Sequence, residues 1–415
     1  MFTRLKLTNF KSFREADIPL GPFTVIIGTN ASGKSNIIDA FRLVQGLATG
    51  GSLSEVVDGG RGVRGERLWE GIRGGMAGLI HAPPDQSRHA QVGIEASFAQ
   101  RGFEYSATVA GPNRGRRVFL DEVRWDSGGD VRHGAGALVG TDQADAEEAM
   151  RENLASPSAR FTILAAGRSV LGLRTPEGEV DPEQIESVAP FARAASGIGF
   201  MVLDAEAMRE PSQREQTALT ERGHNLSSCL SALCEDAERK ELLLEWLGAL
   251  TPVDVRDVDF ERDLRGRILV TLVENGGQRT PADSASDGTL RFLGLAAALL
   301  GPDRAGTHFI EELENGIHPT RLSLLVDLLE SATRDGDVQV IATTHSPLLL
   351  GYLSARAREN ALLTYRLEGE SETHVTRIVD IADAERLLEK GRAASLFQSG
   401  WFEDVMAFRA DGGKS

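Results

Sequence analysis

The stretch Phe23 to Asn36, FTVIIGTNASGKSN, constrains this chain more than any other. An apolar run, Val25-Ile26-Ile27, leads into Gly28-Thr29-Asn30-Ala31-Ser32-Gly33-Lys34-Ser35, which fits G-x-x-x-x-G-K-[ST]. A buried strand ending in such a loop turns consecutive backbone N–H groups inward around phosphate oxygens, because glycine tolerates the turns required. Lys34 then reaches the β- and γ-phosphates, and Ser35 offers its hydroxyl to Mg²⁺. A helix starting near Lys34 adds its positive dipole end. With a strand before and a helix after, a chance glycine turn is the poorer reading. Gly28, Asn30, Ala31, Ser32, Gly33, Lys34, Ser35 and Asn36 are the expected contacts of a nucleoside triphosphate, ATP with Mg²⁺.

Around that loop the chain reads as strands and helices in turn. Phe2–Asn9 alternates and predicts an edge strand paired with Ala16–Leu20. Ile37, Ile38, Phe41 and Val44 give the helix after the loop a buried stripe. Glycine-rich Thr49–Gly78 predicts an irregular surface excursion. Val92–Phe98, Tyr105–Ala110 and Val118–Trp125 predict an antiparallel sheet, with a turn at Pro112-Asn113-Arg114-Gly115. Ser127–Asp142 predicts a loop and Ala144–Ser196 a mainly helical stretch. Gly197–Leu203 reads as a strand, Asn225–Leu250 as a helical pair broken near Asp236, and Val253–Glu274 as two strands. Then α/β alternation returns: helix Leu290–Leu300, strand His308–Ile310, helix Thr320–Leu329, strand Val338–Ala342. A chain of 415 residues has room for several lobes. The division expected is an N-terminal lobe at 1–125, an inserted, mainly helical lobe at 126–252 and a C-terminal lobe at 253–415.

Net charge is −16, from 61 acidic and 45 basic side chains. That excludes a uniformly basic nucleic-acid-binding surface but leaves room for a local basic groove. Cys229 and Cys234 sit five apart in a helical stretch without metal-ligand spacing, which predicts core packing in a reducing cytoplasm. The N-terminus has no apolar signal region, and the longest apolar run, Phe292–Leu300, is too short to span a bilayer. A cytoplasmic chain without a membrane partner is the expectation.

Three further stretches carry chemistry. Thr307-His308-Phe309-Ile310-Glu311-Glu312 ends a strand in two carboxylates. Glu311 is placed to hold Mg²⁺, and Glu312 to polarise an attacking water. Val340-Ile341-Ala342-Thr343-Thr344-His345 delivers a histidine, which as neutral imidazole would hydrogen-bond a γ-phosphate or the lytic water. Ser286-Asp287-Gly288 opens a helix with a natural N-cap and free N–H groups for an anion. Singly, a strand-end acid pair, a strand-end histidine and a capped helix are all ordinary structural features.

In chain order and spacing the four pieces resemble ATP-binding-cassette ATPases of the SMC and RecF kind. The closer resemblance is to the AAA-annotated, ABC-like ATPases related to the OLD (overcoming lysogenization defect) proteins. The stretches that carry it are LKLTNFKSF at Leu5–Phe13, Gly28–Ser35, Gly223-His224-Asn225-Leu226, SDGTLR at Ser286–Arg291, EELENGIHP at Glu311–Pro319 and TTHSP at Thr343–Pro347. The resemblance implies an α/β, ABC-type ATPase head with a mixed sheet, an antiparallel β flank and an inserted helical lobe. It makes Gly28–Ser35 Walker A, Glu311 the Walker B acid and Glu312 the catalytic glutamate. It makes Ala285–Thr289 the signature motif, Asn315-Gly316 the D-loop and His345 the switch histidine. Catalysis would rest on Glu312, His345 and Lys34, and metal binding on Ser35 and Glu311. Because a signature motif meets the γ-phosphate held by another protomer, an ATP-closed homodimer with Ser286 and Gly288 reaching across is implied. Gln45, Gln91 and Gln100 are candidates for the Q-loop glutamine.

OLD proteins often continue into a Toprim nuclease, which needs a D-x-D pair. The seventy residues after His345 contain none, and Asp380, Asp383 and Glu385 read as a helix entry. The expectation is an ATPase without that domain, acting on a separately encoded effector, a nuclease in anti-phage defence. The alternatives are a RecF/SMC-like DNA repair ATPase that clamps DNA, and an ATP-dependent scaffold with little turnover.

Overall fold

The computed structural model describes residues 1–61, 67–81, 89–98, 101–113, 116–126, 132–139, 160–163, 182–250, 255–367 and 369–381. Strand β3 (Phe23–Gly28) is buried along its whole length, and its residues divide between two cores. Val25 and Ile27 face one core, Ile26 the other. Such division is what period two imposes on a strand covered on both sides.

In chain order the other strands are β1 (Phe2–Phe10), β2 (Phe13–Pro19), β4 (Gly60–Arg61), β5 (Arg67–Trp69), β6 (His89–Phe98), β7 (Arg101–Asn113), β8 (Arg116–Asp126), β9 (Arg132–Val139) and β10 (Arg160–Ile163). They continue as β11 (Ile198–Met201), β12 (Val255–Arg262), β13 (Ile268–Glu274), β14 (Arg279–Pro281), β15 (Thr307–Ile310), β16 (Gln339–Thr344), β17 (Ala361–Tyr365) and β18 (His374–Arg377). The main helices are α1 (Lys34–Ala48), α2 (Leu53–Asp58), α3 (Pro182–Ser196), α4 (Ala205–Met208), α5 (Leu226–Cys234), α6 (Ala237–Leu250), α7 (Asp287–Leu300), α8 (Leu322–Ala332) and α9 (Leu348–Tyr352).

The central sheet has the order β11-β15-β16-β3-β17-β18, parallel except for its last pair. On one side α5, α7, α8 and the small β12-β13-β14 sheet bury Val340, Ala342 and Ile310. On the other lies the flanking sheet, β10-β9-β8-β7-β6-β1-β2, with α1 and α3 filling the interval. This is the mixed sheet with an antiparallel flank that the motifs imply. Two aromatic clusters hold it. Phe191 of α3 meets Phe2, Phe98, Phe103 and Tyr105, while Phe309 of β15 packs on Phe41 of α1 and Phe200 of β11.

Four local expectations are corrected. Strand β1 is internal rather than an edge: Leu5 pairs with Ile18 of β2 and with Ile94 of β6. Alternation reports which faces are covered, not how many neighbours a strand has. Within Thr49–Gly78 the described residues are structured and packed: Ser52 and Glu55 form a capping box on α2, and Leu53, Val56, Val57 and Ile72 are buried. Within Ser127–Asp142, Arg132–Val139 forms β9, held by main-chain pairing along β8 despite its glycines. Within Ala144–Ser196, Arg160–Ile163 is strand β10 and only α3 is helical among the described residues. Arg114, Gly115, Gln100, Asp383 and Glu385 lie outside the described residues. Cys229 is buried and its thiol is pushed up to about 12 by that burial, in keeping with a packing role.

The Phe41–Phe309–Phe200 contact joins helix, central sheet and its edge strand. Phe309→Ala is expected to cost about 3–5 kcal/mol of unfolding free energy, read by urea denaturation. A loss below about 1 kcal/mol would show that the junction collapses without penalty.

Candidate functional site

Strands β15, β16 and β3 lie side by side and parallel, so their C-terminal ends deliver three loops to one edge of the sheet. Open α/β sheets place their ligands at this edge. Gly28 leaves β3, Glu311 leaves β15 and His345 leaves β16.

The loop after β3 is tightly turned. Ala31 and Gly33 have φ of 63° and 102°, and a Cβ on Gly28 would collide with Ser32 and Thr364. Ser32 is buried, its Oγ 2.8 Å from the Thr364 Oγ1 of β17, which braces the loop from below. Thr29, Asn30 and Ala31 are exposed at the rim. The Lys34 ammonium donates to the carbonyls of Gly28 (2.7 Å) and Thr29 (2.8 Å). Burial pushes its pKa down, and the carboxylates of Glu314 and Glu312 oppose that shift. The amide nitrogen of Asn36 donates to Ser12 Oγ at 2.6 Å, so that side chain ties α1 to the β1–β2 turn.

Glu311 is only 19% exposed in its side chain, and its backbone N–H donates to the Met201 carbonyl. Burial raises its pKa, while Arg73 and Arg42 oppose the rise. Glu312 has φ of 51°, left-handed backbone that a non-glycine residue adopts at a cost. Its N–H donates to Thr343 Oγ1 and its carbonyl accepts from Asn315, so the strained turn is held at both ends. The Glu312 side chain is exposed at the mouth of the edge.

His345 is anchored by Glu314: the carboxylate Oε1 lies 2.9 Å from both its backbone N and its Nδ1. Glu314 is a residue the motif reading passed over; its signal was the third acid of Glu311-Glu312-Leu313-Glu314. A Glu beside Nδ1 fixes the ring and leaves Nε2 to face a ligand.

Ser286 caps α7, accepting from Thr289 N. Arg209 of the segment after α4 holds Ala285 O and Asp287, which fixes the helix start. A Cβ on Gly288 would stand 2.6 Å from the Gly316 carbonyl, so the helix start packs directly on Asn315-Gly316. Ser286 and Gly288 thus sit with Gly316 and Arg209.

A charge cluster went unread in the sequence. Asp39 of α1, 1% exposed, pairs with Lys11 at 2.5 Å, and Arg73 spans Asp39 and Glu311. A charged residue inside the apolar stripe Ile37–Phe41 was the available signal for Asp39; Arg73 offered none. The oxygen donors at this place, the Ser35 hydroxyl and the Glu311 carboxylate, are of the hard kind that suits Mg²⁺. The Arg73 guanidinium lies 3.3 Å from Glu311 Oε1 and 3.5 Å from the backbone carbonyl of Ser35, so positive charge fits beside this carboxylate. Among the described residues no group of three or more His, Cys, Asp or Glu side chains could hold a metal. No described helix is long and apolar enough to cross a membrane.

Two family models match the chain: an AAA domain described as "putative AbiEii toxin, Type IV TA system" over residues 182–351, and an AAA ATPase domain over residues 1–49. An OLD nuclease of Thermus scotoductus is 29% identical over 178 residues, 40% of this chain and 30% of that protein. An ATP/GTP phosphatase of Helicobacter pylori is 26% identical over 139 residues, 32% of this chain and 36% of that protein. The RecF replication and repair protein of Frankia alni is 34% identical over 141 residues, 29% of this chain and 36% of that protein. The chain therefore spans about a third of the length of these relatives. A solved SMC head, bound in its crystal to the C-winged helix domain of ScpA, superposes with a TM-score of 0.52. That superposition covers 93% of this chain and 99% of that one at 15% identity, which speaks for the fold.

Loop, strand-end acids and parallel sheet define a P-loop ATPase head. The matches support an ABC-like ATPase similar to the OLD, RecF and SMC proteins.

Lys34→Ala removes the one ammonium that can reach phosphates in this loop. It is expected to weaken binding of a fluorescent ATP analogue roughly 10- to 100-fold, as loss of a charged hydrogen-bonding group does, with the thermal transition unchanged. Wild-type affinity in that variant would remove the loop from the nucleotide site.

Proposed function

We propose that this chain binds ATP with Mg²⁺ at Gly28–Ser35, hydrolyses it, and does so as a homodimer with two composite sites. The observation that carries the reading is the adjacency of three parallel strand ends bearing Gly28, Glu311–Glu312 and His345. Lys34 exchanges its bonds to Gly28 and Thr29 for phosphate oxygens. Ser35 and Glu311 hold Mg²⁺, which when bound neutralises charge on the β- and γ-phosphates. Glu312, exposed on its held turn, orients the water and takes its proton. His345, whose Nδ1–H donates to Glu314, presents Nε2 as an acceptor for the lytic water.

Ser286 and Gly288 serve the partner's nucleotide. Their place at the start of α7, packed on Gly316, supports this, since a helix N-terminus favours an anion. ATP closes the pair and hydrolysis loosens it.

The pair's closure is proposed to control an effector, a separately encoded nuclease in defence against phage. What supports this is the match to a family described as a "putative AbiEii toxin" and the likeness to an OLD nuclease. A second reading, a DNA-clamping repair ATPase, is supported by the RecF relative and by the LKLTNFKSF stretch. DNA that stimulates turnover, with binding that falls steeply as salt rises, would favour it. Co-purification with the product of the adjacent gene, followed by a cleavage assay, tests the first.

Glu312→Gln is expected to lower steady-state ATP turnover about 100-fold or more and to accumulate an ATP-bound dimer by light scattering. Turnover already negligible in wild type and unchanged in that variant would instead describe an ATP-dependent scaffold with little turnover.

A further inference from the structure

Arg73 sits in the segment after β5, its backbone tied to its neighbours and its side chain half exposed. Its carbonyl accepts from Lys11 Nζ at 2.7 Å, and the N–H of the buried Ile72 donates to the Val57 carbonyl. Gly71, at φ 78°, packs against the backbone of Val57–Gly59. The Arg73 side chain, 53% exposed, leaves this rigid base and lies 3.4 Å from Asp39 Oδ1, 3.3 Å from Glu311 Oε1 and 3.5 Å from the Ser35 carbonyl.

The charges explain why this contact can break. Asp39 is buried and needs a cation, but Lys11, itself nearly buried, already supplies one at 2.5 Å. Glu311 has no such second partner in an ion pair among the described residues. Arg73 therefore neutralises Glu311 while Asp39 can do without it. A divalent ion bound by Glu311 would place two positive charges beside the guanidinium and drive it off.

We infer that Arg73 is a resident counter-cation of the metal site: it holds Glu311 while the nucleotide is absent and is displaced when Mg²⁺ takes that carboxylate. The inference rests on the assignment of Ser35 and Glu311 as the metal-binding pair. Arg73 is a positioning residue in this account, because it acts through Glu311.

The test titrates MgCl₂ into wild type, Arg73→Gln and Arg73→Lys at a fixed concentration of a fluorescent ATP analogue, with a parallel measurement in EDTA. Without its competitor, Arg73→Gln reaches half-saturation at an Mg²⁺ concentration about two- to fivefold lower, the scale of a partly exposed ion pair. Its binding in EDTA matches wild type, and Arg73→Lys, which keeps the charge, stays close to wild type in both. A coincident Mg²⁺ midpoint for wild type and Arg73→Gln overturns the inference alone. Weaker binding of Arg73→Gln in EDTA also overturns it, because Arg73 would then be a phosphate ligand. Failure of wild type to bind the analogue with Mg²⁺ overturns the nucleotide-site reading and this inference with it.

Discussion

The central sheet is covered on both faces, and that single constraint decides where polar chemistry can appear. Along β3, β15 and β16 nearly every side chain is buried, so a carboxylate or an ammonium has to wait for the strand's end. Parallel order then brings the ends of three strands to one edge. The phosphate loop, the acid pair and the histidine are neighbours for that reason, although more than 280 residues separate Gly28 from Glu311. Phe309 shows the same constraint from inside. It faces α1 and β11 so that Ile310 can face the opposite core and Glu311 can emerge.

The charges at that edge are interlocked: three cations, Lys11, Arg73 and Lys34, face four carboxylates, Asp39, Glu311, Glu312 and Glu314. Lys11 and Arg73 answer Asp39 and Glu311; Lys34 lies within the field of Glu312 and Glu314. Burial lowers the pKa of Lys34 and raises that of Glu311, so both charged forms depend on their partners. The bonds from Lys34 to the loop's own carbonyls and from Arg73 to Glu311 occupy positions that the ligand's charges would claim.

Much of this was legible in the residues, because loops at strand ends carry local chemistry. Gly28–Ser35, the acids of Glu311–Glu312 and the cap at Ser286 each declare themselves within a few positions. The α/β alternation after Val253 was legible for the same reason. What depended on distant pairing was not. Strand β9 is held by β8, and its glycines give no apolar period to read. The second neighbour of β1 is a strand more than eighty residues away. Arg73 lies in a glycine-rich stretch, and only the folding of Gly71–Gly75 against α2 brings it to Glu311. Glu314 shows the intermediate case: its acid run was visible, but its bond to His345 needed β15 beside β16.

The central claim is that each nucleotide site is shared between two chains, and complementation measures it most directly. Lys34→Ala and Ser286→Arg each disable a different half of the site, so either variant alone should be inactive. Mixed in equal amounts, they form heterodimers in which one of the two sites pairs an intact loop with an intact helix start, and ATP turnover should recover to at most about a quarter of wild type. A mixture no more active than its components, with Ser286→Arg alone turning over at the wild-type rate, would contradict the account and place the whole site in a single chain.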